Sequence, residues 1–214
     1  IGWRGVQISV ASVAILAGVL LAINANNNSK KPRDINKRAN SKQLTLRQAL
    51  TAPVVRLFSS LIMERIGFGL ATFYYPSFLR TLYDLEIEAI ALPLAGFAVG
   101  NITGTLLGGQ LADRFPFRRV SSAGMLLLSG SFALAWFLWT PGLVTTAFLG
   151  IGFSLFNALS RPPLMAALAD VPTEVRGVIM GLNSSVASIG WLTASVLGGW
   201  LYLVVGFKGF GPLM

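Results

Sequence analysis

Four stretches of this sequence run for 19 residues or more without a charged side chain: 5–23, 89–112, 120–140 and 177–207. Two more are nearly as clean: 57–79 is interrupted only by the adjacent Glu64 and Arg65, and 143–169 only by Arg161. A helix rises about 1.5 Å per residue, so about 20 apolar residues cross the ~30 Å hydrocarbon core of a bilayer. Lipid offers no partner to a backbone N–H or C=O, which leaves the helix as the spanning form of such runs. Charged residues make up 12% of the 214 positions, about half the ~25% of an ordinary soluble domain. The sequence therefore predicts an all-α polytopic membrane protein with about six transmembrane helices. The stretch 177–207 is long enough to tilt or overhang the bilayer.

The charges lie between the runs. The net charge of +9 would point to nucleic acid in a soluble chain, but here its distribution reads as membrane orientation. One side holds Lys30, Lys31, Arg33, Lys37, Arg38, Lys42, Arg47 and Arg56 in segment 24–56, then Arg114, Arg118, Arg119 and Arg176. The other side holds Arg4, Arg80 and Lys208. Cytoplasmic loops carry the excess of Lys and Arg, so 24–56 is predicted to be a cytoplasmic linker of a multi-pass protein in the cell membrane, with no nucleic-acid partner. Within it, 44–50 reads as a short surface helix. The expected division is a transmembrane helix at 1–23, the basic linker at 24–56, five transmembrane helices over 57–207, and an outer loop with the start of another helix at 208–214. The chain begins at Ile1 and ends as a new apolar stretch opens at Phe210. It reads as part of a longer protein.

Two motifs stand out. Gly96, Gly100, Gly104 and Gly108 recur every four residues and form a ridge without side chains, against which another helix can lie backbone to backbone. Static packing and a sliding contact between two halves of a transporter both need such a ridge. The second motif is the turn Gly109-Gln-Leu-Ala-Asp113-Arg114-Phe-Pro-Phe-Arg118-Arg119. A carboxylate at a helix end can accept bonds from the exposed amides of a neighbouring helix N-terminus, and the adjacent arginines keep the loop inside.

This turn resembles the loop signature of the major facilitator superfamily, Gly-x-Leu-Ala-Asp-Arg-x-Gly-Arg-Arg. Gly109, Leu111, Ala112, Asp113, Arg114, Arg118 and Arg119 align, while Pro116 stands where the family favours Gly and Phe117 where it favours Arg. Gly2-Trp3-Arg4 is similar to the start of the family's sixth helix, and Pro172-x-Glu174-x-Arg176-Gly177 to the start of its eleventh. The resemblance implies the C-terminal half of a 12-helix major facilitator fold, helices six to eleven, with the substrate site near the midplane between two halves. It implies a missing N-terminal half as partner and a conformational-switch role for Gly109, Asp113, Arg114, Arg118 and Arg119. In style the later spans resemble the drug and sugar efflux permeases of that superfamily.

Ionisable residues inside spans are costly and are functional candidates by default. Counted from the cytoplasmic ends of their runs, Glu64 lies about 10 Å deep and Arg161 about 12 Å. The resemblance implies that both helices face the central cavity. Glu64 and Arg161 are therefore expected to pair, or to alternate partners, as a gate or proton site. Arg65 points about 100° away from Glu64 and is expected to snorkel toward headgroups. Pro162 and Pro163 are expected to bend their helix. Tyr74, Phe78 and Asn157 are the candidates for a substrate cavity. An interfacial aromatic belt is the alternative for the two aromatics, and a bond to a neighbouring helix for the amide.

There is no His and no Cys, which removes imidazole and thiolate chemistry and sulfur-ligated metal sites. No phosphate-cradling Gly-x-x-x-x-Gly-Lys-Ser/Thr loop occurs. No catalytic residue, metal or cofactor is expected. The predicted function is a secondary active transporter that moves a small solute by alternating access, in the manner of a proton-coupled antiporter driving efflux. The alternative is a non-transporting receptor or scaffold on the same helices.

Overall fold

The computed structural model describes residues 50–114, 118–139, 142–171 and 173–214, together with Ser12 and Ile15. The side chains of Arg118, Arg119, Thr173 and Glu174 lie outside the described set. The chain divides into two units, 1–43 and 44–214. The predicted span 5–23, apart from the helical Ser12 and Ile15, and the segment 24–49 with its expected surface helix lie outside the described residues.

Among its described residues the second unit holds five long helices: α1 (Ala52–Tyr83), α2 (Ile87–Arg114), α3 (Arg118–Trp139), α4 (Leu143–Ala169) and α5 (Thr173–Val205). Each of the five predicted runs from residue 57 onward seeds one helix. Arg56, assigned to the linker by charge, lies in the second turn of α1. Pro53 sits in the first turn of α1, where a missing N–H is harmless. Asp84 ends α1 with φ 49°, a left-handed conformation that Asp tolerates better than most residues. Gly206–Gly209 and Gly211–Leu213 form two 3-10 turns instead of the expected helical start, and they seat Phe210 fully inside the bundle.

Among the described residues, four segments are long and apolar enough to cross a membrane: Ile87–Arg114, Val120–Trp139, Leu143–Ala169 and Val175–Gly209. The helix α1, predicted as a span from 57–79, is not one of them. Its 32 residues reach about 48 Å, but the adjacent Glu64 and Arg65 lower its apolar content. The outward faces of the others carry Leu92, Leu106, Leu127, Phe148 and Leu203, all largely exposed. Apolar surface on this scale marks contact with lipid or with another protein surface.

Side-chain contacts give the helix directions. Gly96 of α2 lies against Ile151 of α4, and Gly108 against Leu159 and Pro162, so α2 and α4 run parallel. Gly190 of α5 meets Ile62 and Arg65 of α1, and Gly198 meets Leu70 and Tyr74, so this pair is parallel too. Ser122 Oγ donates to Ser160 O at 3.0 Å and Ser129 Oγ to Phe153 O at 3.2 Å, which lays α3 antiparallel to α4. Hydroxyls bonded across helices in this way hold a bundle where lipid supplies little hydrophobic drive.

The interior has two apolar clusters. The larger is aromatic: Trp136 meets Tyr75 edge-on at 4.4 Å and stacks on Phe137 at 4.6 Å, with Phe78, Phe97, Phe153 and Phe210 around them. The smaller joins Val54, Leu57, Phe58 and Leu61 of α1 to Leu164, Ala167 and Leu168 of α4 and to Val175 and Ile179 of α5. Along α1 the seam between the two clusters falls at residues 62–65, where Glu64 and Arg65 stand.

Candidate functional site

Glu64 is the buried charge at this seam, with no exposed side-chain surface. Arg161 Nε of α4 donates to its Oε1 at 2.8 Å. One helical turn earlier, Asn157 Oδ1 accepts from the Nη2 of the same guanidinium at 2.9 Å. Positions i and i+4 share a helix face, so the 157/161 spacing aims both groups at α1. The guanidinium carbon of Arg161 lies 4.1 Å from the centre of the Phe68 ring, a cation–π contact strengthened by desolvation. Residues 64 and 68 are also one turn apart, so α1 presents a carboxylate and a ring to one arginine.

Arg65 does not extend to an interface. Its Nε lies 3.3 Å from Glu64 Oε2, and its side chain is 20% exposed. The reason is the close crossing of α5: the bare Gly190 sits directly on the Arg65 Cβ, which fixes the stem between the two helices. Two guanidiniums thus share one carboxylate. The sequence shows both arginines, but only the crossing at Gly190 brings the second one to the pair.

The amide of Asn157 is held by Arg161, and together with Glu64 it lines a cleft of about 360 Å³ walled by Ser59, Ser60, Gly67, Ser129 and Met214. Tyr74 donates its hydroxyl to Ser195 O at 3.0 Å and lines a separate cleft of about 620 Å³ with Arg80, Asp84 and Tyr202. Phe78 is fully buried, with Trp136, Phe137 and Phe207 edge-on around it at 5.2 to 5.7 Å. Phe73, the residue before Tyr74, is half exposed.

The glycine ridge is an internal joint. A side chain on Gly100 would put its first carbon 2.7 Å from Ile151 O, and one on Gly108 would put it 2.8 Å from Leu159 O. At Gly104 it would overlap Leu155 O. All three oxygens belong to α4, so at these glycines the ridge is not a contact between two halves. Pro163 has no N–H to offer Leu159, four residues earlier. That freed carbonyl lies over Gly108. The helix α4 continues through Pro162 and Pro163 as one element.

In the turn motif, Gly109 ends the ridge with open space where a side chain would begin. Asp113 and Arg114 close α2 and are exposed. Arg118 and Arg119 open α3, and residues 115–117 lie outside the described set.

With this geometry in place, comparison with known proteins is direct. The model of the Major Facilitator Superfamily matches residues 57–211, which reach into all five helices. YceJ of Bacillus subtilis, named an uncharacterized MFS-type transporter, is 25% identical over 167 residues, 73% of this chain and 42% of its own length. MdtH of Shigella dysenteriae, named a multidrug resistance protein, is 30% identical over 102 residues, 45% of this chain and 23% of its own. The chain thus spans less than half the length of the curated relatives it matches. No solved structure matches it.

Proposed function

Because the chain belongs to the Major Facilitator Superfamily, a family of multi-pass membrane transporters and not of enzymes, we propose that it is the six-helix C-terminal half of a secondary active transporter. The whole protein moves a small solute out of the cell by alternating access, driven by protons, with segment 24–56 on the cytoplasmic side of the cell membrane. The observation that carries this reading is the buried Glu64–Arg161 pair, joining α1 to α4 where two apolar clusters meet. Buried ionic groups in membrane bundles mark substrate or ion pathways. A proton on Glu64 cancels its attraction for Arg161 and frees α4 to move against α1. The likeness to MdtH supports export. The exposed Asp113 and Arg114 are the groups through which the turn engages the other half.

The test uses the complete protein in proteoliposomes with an imposed pH gradient. Solute is expected to move against its own gradient, and Glu64→Gln is expected to abolish the pH-driven component per folded molecule. Unchanged pH-driven flux in that variant removes Glu64 as the proton carrier. No flux with any solute in the wild type leaves a non-transporting membrane protein.

A further inference from the structure

The Glu64 cluster has the wrong charge count for a purely structural ion pair. One carboxylate lies between two guanidiniums, Arg161 at 2.8 Å and Arg65 at 3.3 Å. Guanidinium remains charged in proteins, so when Glu64 is ionised the cluster keeps one positive charge. Arg161 is well occupied, with Glu64, Asn157 and the Phe68 ring as partners. Arg65 is not. Its buried Nε makes no hydrogen bond, and neither does Glu64 Oε2. A guanidinium with a buried N–H that lacks an acceptor is a ready site for an anion.

The surroundings give the shape of that anion. Arg65 abuts Gly190 of α5. The next residue, Trp191, meets Phe68 edge-on at 5.9 Å and Phe73 at 5.3 Å. The Arg65 stem therefore lies against one step of α5, and the Phe68 ring that carries the Arg161 guanidinium meets the next residue of the same step. From that step a wall of three aromatic rings leads outward to the exposed Phe73. Trp191 is half-buried, and Arg65 and Arg161 each keep an exposed edge.

We propose that this cluster binds the anionic head of an amphiphilic organic acid, with Arg65 as the principal contact and the Phe68–Trp191–Phe73 wall receiving its apolar body. A carboxylate matches the fork of a guanidinium in two parallel hydrogen bonds. It restores neutrality to a cluster that is otherwise positive in a poorly solvated place. The inference rests on the transporter reading for its biological meaning, but binding is measured without flux.

Three probes with one phenylpropyl body separate the effect of charge: 3-phenylpropionate, 3-phenylpropanol and 3-phenylpropylamine. Affinities are read from tryptophan fluorescence of the complete protein in lipid nanodiscs. The carboxylate is expected to bind about tenfold more tightly than the alcohol, and the amine more weakly than either. Arg65→Gln is expected to bring the carboxylate down to the alcohol and leave the alcohol unchanged. It also leaves Glu64 and Arg161 as a neutral pair, so the fold is retained. Arg65→Lys is expected to keep part of the preference. An amine that matches the carboxylate, a carboxylate that does not bind, or an affinity indifferent to Arg65→Gln each overturns the proposal. Uptake of the three labelled probes into proteoliposomes separates the two readings. If the carboxylate binds and nothing crosses, the transporter reading fails and the anion site stands. If the amine crosses and the carboxylate neither binds nor crosses, the reverse holds.

Discussion

Glu64→Gln is expected to destabilise the bundle by about 3–5 kcal/mol, the usual loss when one partner of a buried ion pair is removed, and by more than Arg161→Gln. The asymmetry follows from the two-to-one arrangement. Without the Glu64 charge, Arg161 and Arg65 face each other with no carboxylate between them. Without the Arg161 charge, Glu64 still has Arg65 at 3.3 Å, and Asn157 is left with one unmet acceptor. Arg65→Gln should be the mildest of the three, because the 2.8 Å bond from Arg161 survives it. The measurement is unfolding in mixed micelles at increasing denaturing detergent. The double variant Glu64→Gln/Arg161→Gln should lose less than the sum of its parts, since the two residues are in direct contact. Equal losses for Glu64→Gln and Arg161→Gln would show that Arg65 has no share in the carboxylate.

The depth match between Glu64 and Arg161 was legible before any coordinates, because rise per residue converts sequence position into height along a helix. The five helices were legible for a related reason: an uncharged run of about 20 residues has few other stable fates. Azimuth and neighbour identity were not legible. Tyr74 and Phe78 lie one turn apart, yet Tyr74 borders a cleft while Phe78 is enclosed by α3 and the 3-10 turns. Nothing local to α1 announces that Phe207 and Phe210 fold back over it. The four glycines identify a close contact without naming its partner, and that partner is α4, next but one along the chain. Arg65 shows the same gap. Its place at the carboxylate depends on Gly190, 125 positions away, so a reading of α1 alone sends it to the headgroups. What height alone determines was readable; what depends on which helix lies beside which was not.

The glycine ridge carries the other large effect. Gly104→Ala is expected to destabilise the bundle by about 2–3 kcal/mol, the scale of overpacking in a close-packed interior. The new methyl would overlap Leu155 O and lie 2.9 Å from Ala158 Cβ. The oxygen is backbone and cannot rotate away. The helix α4 cannot easily yield either, since Ser122 and Ser129 of α3 bond its carbonyls and its own Ser154 Oγ donates to Phe97 O of α2 at 2.7 Å. The helix α2 must then move outward as a whole and loosen its contacts at Gly100 and Gly108. Gly124→Ala in α3 is the matched control: nothing lies within 4 Å of its new methyl, so helix propensity alone predicts a gain of up to ~1 kcal/mol. Ala158→Gly gives a second control, because it removes the side-chain neighbour and leaves Leu155 O in place. Combined with Gly104→Ala it should recover little of the loss. Thermal unfolding of the four variants in one detergent reads these differences directly. A Gly104→Ala protein as stable as Gly124→Ala would mean that α2 and α4 do not touch at this rung.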